Sequence, residues 1–285
     1  MISYTISYAQ NREDIILSGF FKNIEKGFYV DVGANHPELD SVTKIFYDKG
    51  WSGINIEPIK SLYEKLLSER PRDINLNIGI SDKETTLNFR QYSKGVGLST
   101  FSKEMQEEYQ LKTDFTTDKH IDYSVKLFPL RSVFKDNNVG EINFLKIDVE
   151  GYEYEVLKSN DWDKFRPQVV CIEANHVKED WKQILTNNNY LLVFFDGLNE
   201  YYVDKKQQFK LSNFSYIDTV LPQPIVPFKL HSAIKKLTDK LTREEQISSH
   251  LRAQLNEANY ELSRSKRVRS LAKKLVIEGL IQESF

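Results

Sequence analysis

Acidic and amide side chains recur just behind the short apolar runs of this 285-residue chain, where buried strands would end. The first run finishes Asp31-Val32-Gly33-Ala34-Asn35. A glycine there lets a ligand approach the main chain, and a carboxylate beside it suits a cofactor with a cationic end; the alternative is a plain strand-to-helix turn. The second run finishes Glu57-Pro58. A carboxylate this far beyond a glycine turn can accept hydrogen bonds from both hydroxyls of a ribose, and Pro58 keeps the turn stiff; the alternative is a solvated acidic strand end. The third finishes Ser81-Asp82, which suits either an adenine amino group or an ordinary turn. The fourth run, INFLKIDVEGYE, delivers Asp148 and Glu150, and the fifth, VVCIEANH, delivers Glu173, Asn175 and His176. Asp148, Glu173 and Asn175 would converge from neighbouring strands, a donor set for a hydroxyl substrate or for a hard cation such as Mg²⁺. Glu150 is expected to cap the following helix instead. His176 is either a general base or a solvated turn histidine.

These residues need a scaffold that brings strand ends together. EDIILSGFFKNI reads as a helix, GFYVDV as a strand, DSVTKIFYDKG as a helix, GINIEP as a strand and KSLYEKLLSERP as a helix closed by Pro71. INLNIGISD reads as a third strand and TTLNFRQY as a β-excursion. Residues 93–124 read as a polar loop holding a helix around SKEMQEEYQL. INFLKID, PQVVCIEAN and the hairpin YLLVFFDGLNEYYVD supply further strands, with helices at YEYEVLKSN and EDWKQILTNNN. Strands alternating with helices imply a mostly parallel α/β sheet, whose ligands sit beyond the carboxyl ends of the strands near the topological switch point. Residues 1–222 are expected to form this domain, with 223–285 a Pro-rich linker and helical tail.

Bulk properties narrow the function. The hydrophobic content of 40% is enough for a full core. The single cysteine, Cys171, excludes an internal disulfide and a Cys-rich zinc site, fits a reducing compartment and reads as packing. The net charge of -2 includes a basic tail, so the body is acidic and nucleic acid is not the expected partner. No secretory leader or membrane span is expected, which points to a cytoplasmic protein. No G-x-S-x-G turn is present, which argues against a serine hydrolase. The missing G-x-G-x-x-G disfavours a nicotinamide-dependent oxidoreductase, which stays one rival reading. The other is a non-catalytic scaffold with a degenerate binding domain.

Taken together, SYAQNREDIIL, GFYVDVGANHP, GINIEP, IGISD, GLSTF, FLKIDVEGYEYEVLK and IEAN resemble the FkbM-type family of S-adenosylmethionine-dependent methyltransferases over residues 7–200. The resemblance implies a Rossmann-like, seven-stranded class I methyltransferase sheet and methyl transfer to a hydroxyl, commonly of a sugar. It implies that Asp31, Gly33 and Asn35 form the cofactor loop and that Glu57 binds the ribose. Ser81 and Asp82 would lie beside adenine, Gln10 would close over the cofactor, and Asp148 would face its methionine end or the acceptor. Where the family tends to carry Thr-Leu-Asp, this chain has Pro129-Leu130-Arg131, and Arg131 is either a partner for an anionic acceptor or a surface residue. An alcohol needs help to lose its proton, so general-base catalysis by Asp148 or Glu173 is expected, with His176 a further candidate and a metal an open alternative.

In the tail, Leu230, Ile234, Leu237, Leu241, Leu251, Leu255, Ala258 and Leu262 fall on alternating four- and three-residue steps that weaken at Glu244 and Ser248. That suits a coiled coil, and so a homo-oligomer, or a helix packed on its own domain. The basic, apolar stretch RSKRVRSLAKKLVIEGLI suits an anionic membrane surface, a glycosyltransferase partner or a solvated helix.

Overall fold

The computed structural model describes residues 4–111, 119–174, 181–207 and 224–277. The chain divides into two compact units, Met1–Lys229 and Leu230–Phe285. In chain order the elements are β1 (Thr5–Ser7), α1 (Glu13–Phe20), β2 (Phe28–Val32), α2 (Lys44–Asp48), β3 (Ser52–Ile56), α3 (Lys60–Glu69), β4 (Ile74–Leu76), β5 (Gly79–Ile80) and β6 (Thr85–Tyr92). A 3-10 turn (Val96–Leu98), α4 (Lys103–Leu111), β7 (His120–Phe128), α5 (Leu130–Asp136), β8 (Phe144–Ile147), α6 (Glu153–Lys158) and β9 (Val169–Glu173) follow. The remainder is α7 (Lys182–Asn187), β10 (Tyr190–Phe195), β11 (Asn199–Asp204), β12 (Ile225–Pro227) and the long helix α8 (Phe228–Ile277).

Seven strands make the main sheet, in the order β10-β11-β9-β8-β2-β3-β4. Neighbours are parallel except that β11 runs antiparallel to both β9 and β10, so the expected closing hairpin is present. The chain leaves β2 for β3 on one side and returns to β8 on the other. That reversal opens a crevice at the carboxyl ends of the three strands.

Side-chain alternation divides the core between the two faces of the sheet. Val30, Val32, Ile54, Ile56, Leu145 and Ile147 point to one face, under Leu130, Phe134, Val156 and Leu157 of the helices. Tyr29, Phe144 and Cys171 point to the other, against Ile15, Leu17, Phe46 and Trp51. Cys171 is a free, buried thiol in a strand, as its apolar neighbours suggested, and burial raises its pKa well above the ordinary value.

A buried polar network ties β2 and β3 to the end of α3. Asp73 accepts from the Tyr29 hydroxyl at 2.6 Å, Gly53 N at 2.9 Å and Asn55 Nδ2 at 2.9 Å. Arg70 lies 3.7 Å from Asp73 with both side chains fully buried, and it donates to Ser41 Oγ and the Pro37 carbonyl. Removing one partner of a buried pair leaves the other charge uncompensated. Arg70→Ala is therefore expected to lower the unfolding free energy by about 3–5 kcal/mol, measured by urea denaturation.

Several sequence expectations need correction. INLNIGISD is two strands: β4 belongs to the main sheet, while β5 joins a separate three-stranded sheet ordered β5-β7-β6. The polar loop expected over 93–124 ends in a strand, since His120 to Leu127 pair antiparallel with Tyr92 to Thr85. Its signal is the alternation Ile121, Tyr123, Val125, Leu127, obscured because the opposite face is exposed and polar. Helix α5 and strand β1 were not anticipated. Part of the Pro-rich stretch is a strand: Ile225 to Pro227 pair parallel with Thr5 to Ser7. Phe228 packs on the Tyr8 ring at 5.0 Å, and Lys229 pairs with Asp40 at 2.8 Å.

Candidate active site

A cleft lies at the switch point, lined by the ends of three strands and the loops that follow them. The ends of β2 and β3 give it Gly33, Asn35, Glu57 and Pro58, and the loop after β8 gives it Asp148, Val149 and Glu150. Ile56, Ile59, Ile78, Ile80, Phe89 and Val96 form apolar walls, closed by Gly97, Phe101 and Tyr152.

Glycine at 33 is required by space as well as by conformation. Its φ is +79°, and a Cβ there would stand 1.9 Å from the Asp148 carbonyl oxygen. The loops after β2 and β8 are thus in backbone contact. Lys146 reinforces that contact: its Nζ donates to the Gly33 carbonyl at 2.7 Å and lies 3.3 Å from Asp31 and 3.4 Å from Asp148. Burial opposes its charge, but Asp148 and Asp31 outweigh burial and hold its pKa above the ordinary lysine value.

Asp31 does not line the cleft. It is 1% exposed, is the cross-strand neighbour of Lys146, and accepts from Thr43 Oγ1 at 3.0 Å. Burial raises its pKa, offset in part by Lys146 and Thr43. Its role is to anchor the loop that carries Gly33 and Asn35.

Glu57 does line the cleft, and it clamps two turns at once. One carboxylate oxygen accepts from Asn35 N at 2.7 Å, the other from Ile59 N at 2.8 Å. Burial pushes its pKa up to about 7 despite those two donors. Each oxygen keeps a second acceptor site for a ligand hydroxyl.

Asp148, Glu150 and Glu173 come together, each offering an oxygen within 4.8 Å of the others. Burial, then the charges of Asp148 and Glu150, drive the Glu173 pKa far above the carboxylate range, and Glu173 hydrogen bonds with Asp148. Glu173 thus keeps its proton at neutral pH. The trio can also hold a divalent cation, with Glu150 joining Asp148 and Glu173 of the anticipated set. Asn175 and His176 lie outside the described residues.

Glu150 is not the helix cap. Its carboxylate accepts from the Tyr109 hydroxyl at 2.7 Å, and its backbone is left-handed at φ 53°, followed by Gly151 at 86°. Glu153 does that work, accepting from Val149 N at 3.3 Å and Gly151 N at 3.2 Å. A capping carboxylate reaches back from inside the first turn, which spacing from the strand end alone does not reveal.

Other expected residues stand away from the cleft. Gln10 is exposed in the bend after β1 and is not among the lining residues. Ser81 and Asp82 follow the lining residue Ile80 without lining the cleft; Ser81 bonds Tyr152, and Asp82 pairs with Lys158 at 3.4 Å. Arg131 is no acceptor ligand here, because its guanidinium donates to the carbonyls of Ser159 at 2.9 Å and Asp82 at 2.7 Å. Sequence reasoning missed Lys146, Tyr109 and Tyr152 and gave no role to Gly97, Ser99 and Phe101. Lys146 was legible as the residue two before Asp148 on one strand face, and the other three lie in the GLSTF motif.

No curated protein matches the chain. A methyltransferase FkbM from Methylobacillus flagellatus KT matches with a TM-score of 0.39 and 16% identity, covering 62% of this chain. The match spans 44% of that protein's length. The sequence profile of the methyltransferase FkbM domain matches residues 31–209, which include Gly33, Glu57, Lys146, Asp148 and Glu173. This chain therefore belongs to the FkbM methyltransferase family.

Proposed function

We propose that the protein is an S-adenosylmethionine-dependent O-methyltransferase acting on a hydroxyl of a sugar, nucleotide sugar or glycan, in the assembly of a surface polysaccharide. The observation that carries this reading is the position of Glu57: a buried carboxylate with acceptor sites to spare, beside apolar walls, in the cleft that also holds Asp148. The residues present fit S-adenosylmethionine. Glu57 suits its ribose hydroxyls, the isoleucine and phenylalanine walls suit adenine, and the carboxylates after β8 suit its cationic end. When bound, that cofactor supplies a methyl group on a positively charged sulfur.

A second groove, which shares Phe101 and Tyr152 with the cleft, supports the acceptor side of this reading. The two rings lie 5.8 Å apart and offer an apolar surface for the CH face of a sugar. Ser102, Lys103, Glu104 and Glu155 line the same groove and suit its hydroxyls. Asp148 takes the acceptor's proton, and Glu173, already protonated, orients it by donating a hydrogen bond. Calorimetry with S-adenosylhomocysteine tests the cofactor site, and labelled cofactor with a panel of nucleotide sugars and oligosaccharides tests the acceptor. Affinity for NADP without affinity for S-adenosylhomocysteine would overturn the reading.

The proton held by Glu173 balances the charge that a bound cation would otherwise balance. Turnover is expected to survive dialysis against EDTA. A loss restored by Mg²⁺ would instead assign Asp148, Glu150 and Glu173 to a metal.

A further inference from the structure

Helix α8 presents Leu230, Ile234, Leu237, Leu241, Leu251 and Leu255 to solvent, each between 53% and 62% exposed. These positions repeat in alternating steps of four and three residues, the spacing that keeps one stripe facing a second helix. We propose that this stripe is covered by α8 of a second copy of the chain, in a parallel, in-register, two-stranded coiled coil. The charges beside the stripe select that arrangement. In parallel register Lys240 faces Glu245 of the second copy, and Glu261 faces Lys266 of the second copy, with no like-charge pair among these flanking positions.

Glu244 and Ser248 interrupt the stripe and fix its alignment. Only in register do these two polar layers meet their own copies; a slip of one heptad sets Glu244 against Leu251. Lys240 lies 3.9 Å from Glu244 on the same helix, so the carboxylates brought together at that layer have cations at hand. An antiparallel pair centred on the same layers also matches polar with polar. It places Glu245 against Glu245 of the second copy and forms neither of the two opposite-charge pairs. Ile234 on the stripe with Leu230 and Leu237 on either side is the pattern that favours two strands.

The full-length chain tests this directly. Light scattering after size exclusion is expected to give a dimer. Leu237→Lys with Leu251→Lys is expected to weaken it at least about a hundredfold, since each dimer loses four leucines from the stripe, two from each copy, without changing S-adenosylhomocysteine binding. Cys171 is buried, so Leu237→Cys provides one accessible thiol per chain; in parallel register mild oxidation joins two chains through it. Lys240→Glu should weaken the dimer, and adding Glu245→Lys should restore it. A monomeric parent, a dimer indifferent to the two lysines, a failure of the Leu237→Cys chains to cross-link, or a monomer that sediments with anionic vesicles would each overturn the proposal.

Discussion

Asp148→Asn is expected to cut methyl transfer about 10²–10⁴-fold, the range for loss of a general base, while affinity for S-adenosylhomocysteine stays within a few-fold of the parent. The substitution keeps the shape of the side chain and the backbone contact with Gly33. It removes the carboxylate that faces the cleft. It also removes a charge that raises the pKa of Glu173, so Glu173 releases its proton more readily in the variant. The residual rate should therefore climb with pH more steeply than in the parent, and Asp148→Asn with Glu173→Gln should abolish that climb. The measurement is initial rate against pH with labelled cofactor, on the sugar returned by the acceptor panel. Full activity in the single variant would remove Asp148 from the base role.

Glu57→Gln is expected to lower cofactor affinity at least about a hundredfold, from two charge-assisted hydrogen bonds of about 1.5–3 kcal/mol each. A glutamine has one oxygen for the two backbone N–H groups of Asn35 and Ile59, and its own N–H₂ opposes one of them. The parent should show a pH signature that the variant lacks. Burial raises Glu57 from 4.5 to about 7, and ribose hydroxyls prefer the ionised acceptor. Affinity should rise as pH climbs through about 7, and binding at lower pH should release a proton. Calorimetry in two buffers of different ionisation enthalpy measures that proton. The sign for stability is opposite: the folded-state value lies above the unfolded one, so Glu57 favours folding below about 4.5 and that contribution is lost as pH rises through about 7.

The strands that carry the site were legible because their apolar runs and turn residues agree. Val30, Val32, Ile54 and Ile56 read as buried strands, and Gly33 and Pro58 read as their ends. What could not be read was pairing. The place of Lys146 depends on its being the neighbour of Asp31 across two strands more than a hundred residues apart, which no local pattern encodes. The same ignorance put Asp31 in the cleft: alternation shows that Asp31 and Val32 point to opposite faces without showing which neighbour waits on each. Glu57 was legible as a strand-end carboxylate because the apolar run GINI stops at it and Pro58 follows. Its grip on the turns of Asn35 and Ile59 required the fold.

The ammonium beneath Gly33 carries a consequence for how such a sequence can diverge. Asp31 and Lys146 interlock, with Asp148 at the rim, and replacing either buried member alone strands an opposite charge in a dry interior, at a penalty of about 3–5 kcal/mol. Drift at these sites must proceed by joint replacement. A paired Asp31→Leu, Lys146→Met change should fold better than either change alone, because it vacates the interior of both charges together. It would also release the Gly33 carbonyl from its only side-chain tether among the described residues. A descendant altered in this way would retain the architecture and forfeit the alignment of the two loops, so loss of catalysis along this route would precede loss of the fold.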